Sequence, residues 1–163
     1  MEGVLMDSPA MLAMAQVLAL VGVGLMVGLT GAGAGIGFGM VCSATMGVLK
    51  KKPELFGSCL ILSAIPSTNG LYGFVAFFLY NAKVAELGAS MTLYQAAIIF
   101  GAGVAVAVGC TITCIYQAKI ATNGIVAVGQ GHNVFGNTLI MAAYPEFYAI
   151  LALVASILML GMI

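Results

Sequence analysis

"LFGSCLILSAIP" at residues 55–66 returns 79 residues further on as "VFGNTLIMAAYP" at 134–145, with Phe, Gly, Leu, Ile, Ala and Pro kept at six of twelve positions. A unit that recurs in the same direction points to a duplicated element rather than to one irregular domain. Each copy follows a polar break, "LKKKPE" (49–54) before the first and "VGQGHN" (128–133) before the second, and "YNAKVAELGAS" (80–90) lies between the units. The breaks leave four apolar runs, about 9–49, 53–80, 91–128 and 133–162. Each exceeds the ~20 residues that cross a bilayer as a helix. The first and third are long enough to protrude beyond the hydrocarbon. Nothing alternates with period two, so a β-barrel is excluded.

Composition agrees. Of 163 residues 63% are hydrophobic and 6% charged, against about 25% charged in a soluble domain; mean hydropathy is +1.17. Too few polar side chains exist to coat a water-facing surface, so lipid is the expected solvent. The formal net charge is zero and the chain has no Arg, so nothing suggests a nucleic-acid partner. Glu2 and Asp7 stand where a signal peptide carries a basic region, so the first apolar run is expected to remain in the mature protein. Cys42, Cys59, Cys110 and Cys114 form no Cys-x-x-Cys, and His132 is the only histidine. Metal-cluster and cofactor chemistry therefore lack their ligands, and the thiols read as small packing residues. No Ser/His/Asp set or phosphate loop suggests an enzyme.

The fold expected is all-α: four transmembrane helices as two tandem hairpins, residues 1–83 and 84–163. With an even number of spans between them, both hairpin loops share one side and both termini the other. Lys50, Lys51 and Lys52 make that loop side cytoplasmic, whereas Lys83 is balanced by Glu86. Small residues recur at helical spacing on the first run (Gly24, Gly28, Gly31, Gly35, Gly39) and the third (Gly101, Ala105, Gly109). Such stripes let backbones approach closely in lipid, either inside one bundle or along the crowded inner wall of a ring of identical copies.

Polar residues converge in depth. Counted from the hairpin loops, Glu146, Thr68 and Gln117 lie about 21, 22 and 17 Å along their helices. Burying a charge at mid-bilayer costs about 2.5–3.5 kcal/mol on insertion scales, so Glu146 marks a functional site by default. A lone carboxylate that can be neutralised reversibly suits a carrier of one H⁺ or one Na⁺. Pro66 and Pro145, each next to the polar positions, withdraw an N–H from the helix and should bend it. After proline the second repeat has Glu146 and the first Ser67, hence one ion site per chain.

Two Gly-rich hairpins, a basic first loop, "IPSTNGLYGF" (65–74), "IYQAKIATNGI" (115–125) and "YPEFYAIL" (144–151) resemble the membrane-rotor proteolipid of V-type ATPases, the c or K subunit of bacteria and archaea. The likeness covers all four runs. It implies a ring of identical subunits turning against a stator, with Glu146 as the essential carboxylate. It also implies a Na⁺ ligand set of Glu146, Gln117, Thr68, Asn69 and the Ile65 backbone carbonyl, with Tyr72 hydrogen-bonded to the carboxylate. Asn69 departs from the glutamine usual there and is one methylene shorter. The implied partners are a stator subunit that supplies the arginine this chain lacks, and central-stalk subunits at the cytoplasmic loops. No cofactor is implied beyond the transported Na⁺, favoured by the oxygen donors, or H⁺. Two other classes compete: a self-contained secondary transporter, which would show inverted repeats, and a structural pore-forming proteolipid with Glu146 as interhelical glue.

Overall fold

The computed structural model describes residues 9–163, so Glu2 and Asp7 lie outside the described residues. It is all helical: α1 (Pro9–Leu49), α2 (Phe56–Ala64), α3 (Ser67–Leu87), α4 (Leu93–Gly129) and α5 (Phe135–Leu160), with single 3₁₀ turns at Pro53–Leu55 and Gly88–Ser90. Taken together, α2 and α3 form one span, Pro53–Ser90, and among the described residues four helices are long and apolar enough to cross a membrane. Large apolar side chains such as Phe78, Tyr148 and Leu158 face outward, the reverse of a water-soluble surface. The protein is a multi-pass membrane protein built of two tandem helical hairpins.

The hairpins lie side by side and parallel. Gly22 of α1 packs on Phe100 of α4, Gly33 on Thr111, Gly37 on Cys114 and Ala118, and Gly129 on Val48. Residue number thus rises together along both helices at nearly constant offset. The second helices follow the same rule, with Tyr72 bonded to Glu146 and Tyr80 to the Ser156 carbonyl. At the loop end, Lys52 Nζ lies 3.9 Å from the point where a Cβ on Gly131 would sit. Both hairpin loops therefore share one end.

Glycine makes the α1–α4 contact possible, though not along the stripe the sequence presents. A Cβ on Gly103 would stand 2.2 Å from the Gly22 carbonyl oxygen, and one on Gly22 would stand 2.6 Å from Phe100 Cα. Backbone meets backbone there, which only residues without side chains allow. Gly24, Gly28, Gly31, Gly35 and Gly39 instead face open space, outside the chain's own bundle. On α4, Gly101 and Gly109 meet Met159 and Ala152 of α5.

Helix limits differ from the sequence reading at the end of the second span, at the start of the third, and at both ends of the last, which runs Phe135–Leu160 rather than 133–162. The stretch 80–90 is mostly helix: α3 runs to Leu87 and ends at Gly88, whose φ of +48° suits glycine and whose N–H caps the Val84 carbonyl. Ala82, Lys83, Ala85, Glu86 and Leu87 are good helix formers, and Lys83 pairs with Glu86 at 3.2 Å. The third span starts at Leu93 rather than at 91 because Thr92 and Gln95 form a reciprocal capping box. The prolines also diverge. Pro66 separates α2 from α3, whereas Pro145 stays inside an uninterrupted α5. Around Pro66, hydroxyls and a thiol serve the loosened carbonyls: Ser67 bonds Ala64 O, Thr68 bonds Ile65 O and Cys114 bonds Pro66 O.

Apolar packing falls into two clusters. One, around Ala19, Met26, Tyr80, Ile99 and Val106, fills the half near the termini. The other, around Val41, Cys59, Leu62, Ala121 and Ile125, fills the half near the hairpin loops. Between them lies a layer of polar side chains.

Candidate functional site

α3, α4 and α5 each send side chains into that layer. Glu146 sits 11 residues after Phe135 and 14 before Leu160, about 17 and 21 Å from the ends of α5, so it occupies mid-span. Its carboxylate accepts from Tyr72 OH at Oε1 (2.7 Å) and from Gln117 Nε2 at Oε2 (3.1 Å). The second proton on Gln117 Nε2 goes to the Ala142 carbonyl at 3.0 Å, one turn before Glu146. Here the amide of α4 grips both the carboxylate and the backbone that carries it.

The network continues inward. Asn69 Nδ2 donates to Gln117 Oε1 at 2.7 Å, and Asn69 Oδ1 faces Thr113 Oγ1 at 2.8 Å. Asn69 and Gln117 are fully buried, so each unmatched polar atom would cost about 1–3 kcal/mol; here every amide end has a partner. Asn69 reaches Gln117 and Thr113, and it meets Glu146 through Gln117. Thr68 bonds the Ile65 carbonyl at 3.1 Å and lies one turn before Tyr72, on the same face of α3.

Glu146, Gln117, Asn69 and Tyr72 thus form one connected set, with Thr68 and Ile65 bonded to each other beside it. Two members escaped the sequence reading. Thr113 lies four residues before Gln117, a spacing that puts both on one face of α4, and this signal was available. The Ala142 carbonyl carries no residue-type signal at all. Among the described residues no group of three or more His, Cys, Asp or Glu gathers to hold a metal. The oxygens here are hard donors from amides, hydroxyls, a backbone carbonyl and a single carboxylate, chemistry suited to a hard monovalent cation or a proton. Such a set does not suit a resident transition metal.

A parallel double hairpin with one hydrogen-bonded carboxylate at mid-span defines a class of membrane proteolipid. The chain belongs to the family of ATP synthase C subunits, which it matches over residues 21–80 and again over 100–159. It is 36% identical over 130 residues to the V-type sodium ATPase subunit K of Enterococcus hirae, covering 80% of this chain and 81% of that one. To the A-type ATP synthase subunit K of Methanocaldococcus jannaschii it is 35% identical over 146 residues. That match covers 88% of this chain and 62% of the archaeal protein, so the chain spans less than two thirds of that relative's length.

Proposed function

We propose that the chain is the rotor subunit of a V/A-type ATPase, a non-catalytic carrier that moves one Na⁺ per site on Glu146 as a ring of identical copies turns. The observation that carries this reading is the mid-span carboxylate gripped by side chains from two other helices, Tyr72 of α3 and Gln117 of α4. Glu146, Gln117, Thr68 and the Ile65 carbonyl supply the oxygens around the ion, and Asn69 takes part through Gln117. The family match on both hairpins supports the rotor reading, and a relative named for sodium favours Na⁺ over H⁺ as the cargo.

Electrostatics then gives the cycle. The ion cancels the carboxylate's charge, which lets the loaded site face lipid without the penalty of burying a bare ion. A fixed cation on the stator, an arginine from another polypeptide, competes for the carboxylate and displaces the Na⁺. Each charge moved through 100 mV carries about 2.3 kcal/mol. The open Gly24–Gly39 face of α1 is where neighbouring copies approach around the axis. The hairpin loops, with Lys50, Lys51 and Lys52, lie in the cytoplasm against the central stalk, and both termini lie opposite.

Carbodiimide labelling of the solubilised assembly tests this. Glu146 should be modified, millimolar Na⁺ at fixed pH should protect it, and Glu146→Gln should abolish ion-driven turnover. Protection by raised pH alone would reassign the cargo to protons. Full turnover in Glu146→Gln would refute the carrier role.

A further inference from the structure

Thr113 stands at the end of the chain of hydrogen bonds that reaches Glu146. Its hydroxyl oxygen lies 2.8 Å from Asn69 Oδ1, 2.7 Å from the Gly109 carbonyl and 3.1 Å from the Cys110 carbonyl. A hydroxyl has one proton and two lone pairs, so it donates to one of these acceptors at a time. That limit links Thr113 to the orientation of both buried amides.

In one polarity Thr113 donates to Asn69 Oδ1, Asn69 Nδ2 donates to Gln117 Oε1, and Gln117 Nε2 donates to Glu146 and to Ala142 O. The carboxylate then faces two donors, Gln117 and Tyr72. This arrangement favours the bare anion and presents no amide oxygen to a cation. In the opposite polarity Thr113 donates to Gly109 O and accepts from Asn69, Asn69 accepts from Gln117, and Gln117 turns its oxygen toward Glu146 and Ala142 O. Three oxygens then face one another, which repel unless a cation lies among them.

We propose that Thr113 and Asn69 are positioning residues for the ion site: they form a hydrogen-bond chain of reversible polarity that turns the Gln117 amide from donor to ligand when Glu146 takes up its cation. The inference rests on the reading of Glu146 as a cation carrier. Both amides are fully buried, so they have no water to turn against and must reverse together. Only a group able both to give and to accept can end such a chain without leaving an orphan. Thr113 also biases it. In the loaded polarity its hydroxyl donates to Gly109 O and accepts from Asn69, two bonds against the single donation to Asn69 in the other polarity. Removing the hydroxyl therefore weakens the loaded form more.

Thr113 is partly exposed and lines a groove between α4 and α5 beside Pro145, so valine replaces it without overfilling a core. The test measures, in the full-length solubilised assembly, the Na⁺ concentration that half-protects Glu146 from carbodiimide. One net hydrogen bond lost from the loaded form raises that concentration about fivefold in Thr113→Val. Thr113→Ser, which keeps the hydroxyl, should stay within about twofold of the unmodified protein. Adding Thr113→Val to Asn69→Leu should change nothing further, because the two act in series. If valine disturbs assembly, Thr113→Ala carries the same expectation. An unshifted midpoint in Thr113→Val, a Ser variant displaced as far as the Val one, or additive effects in the double variant would each overturn the proposal while leaving the carrier reading intact. Absence of labelling, or of Na⁺ protection, in the unmodified protein would overturn both.

Discussion

Gly73→Ala should disturb the site although Gly73 touches no ion ligand. A Cβ at Gly73 would stand 1.9 Å from Thr30 Oγ1 and 2.3 Å from the Met26 carbonyl oxygen, where ordinary contact begins at 3.4 Å. Thr30 could rotate, at the loss of its 2.6 Å bond to Met26 O, but the carbonyl is backbone and cannot. Making room means moving α3 away from α1 by about 1 Å, the shortfall between those two distances. Tyr72, the preceding residue, moves with it, and its 2.7 Å bond to Glu146 stretches past useful length. Gly70→Ala, one turn earlier on α3, is the matched control. Its Cβ would meet only Ala34 Cβ at 3.1 Å, a misfit of a few tenths of an ångström. Both variants gain the same helix propensity, about 0.8–1 kcal/mol, which cancels between them. The difference that remains is overpacking, about 1–3 kcal/mol against Gly73→Ala. Denaturation in mixed micelles reads the stability difference, and Na⁺ protection of Glu146 reads the site. Equal stability and equal protection in the two variants would refute the claim that this close approach positions Tyr72.

Two further outcomes follow from the packing. Tyr80→Phe removes the fully buried 2.5 Å bond from Tyr80 OH to the Ser156 carbonyl. It should cost about 1–3 kcal/mol of stability and leave Na⁺ protection of Glu146 unchanged, both read in the same two assays. Gly28→Leu adds a side chain where the chain's own fold leaves open space. Helix content by circular dichroism should therefore stay the same, while native mass spectrometry should show the oligomer lost, because that face is where copies meet in the proposed ring.

Hydropathy, the repeat and the position of one acid needed nothing but the order of residues. Four apolar runs and a recurring "FG…LI…A…P" determine a double hairpin because a chain in lipid must close every backbone hydrogen bond within its own helices. Glu146 stood out for the same reason, since a carboxylate amid hydrocarbon has no neutral explanation as cheap as water would offer. Tertiary structure alone decided which glycines are crowded. Gly22, Gly33 and Gly73 lie against a neighbouring helix, while Gly24 and Gly28, on the same helix as Gly22, face outward, and a glycine carries no hydrophobic pattern to say which way it points. It also decided that Asn69 meets Glu146 through Gln117, with Thr113 behind it. Hydrogen-bond partners depend on ångström-scale distances across helices, and a list of residues along one chain does not contain them.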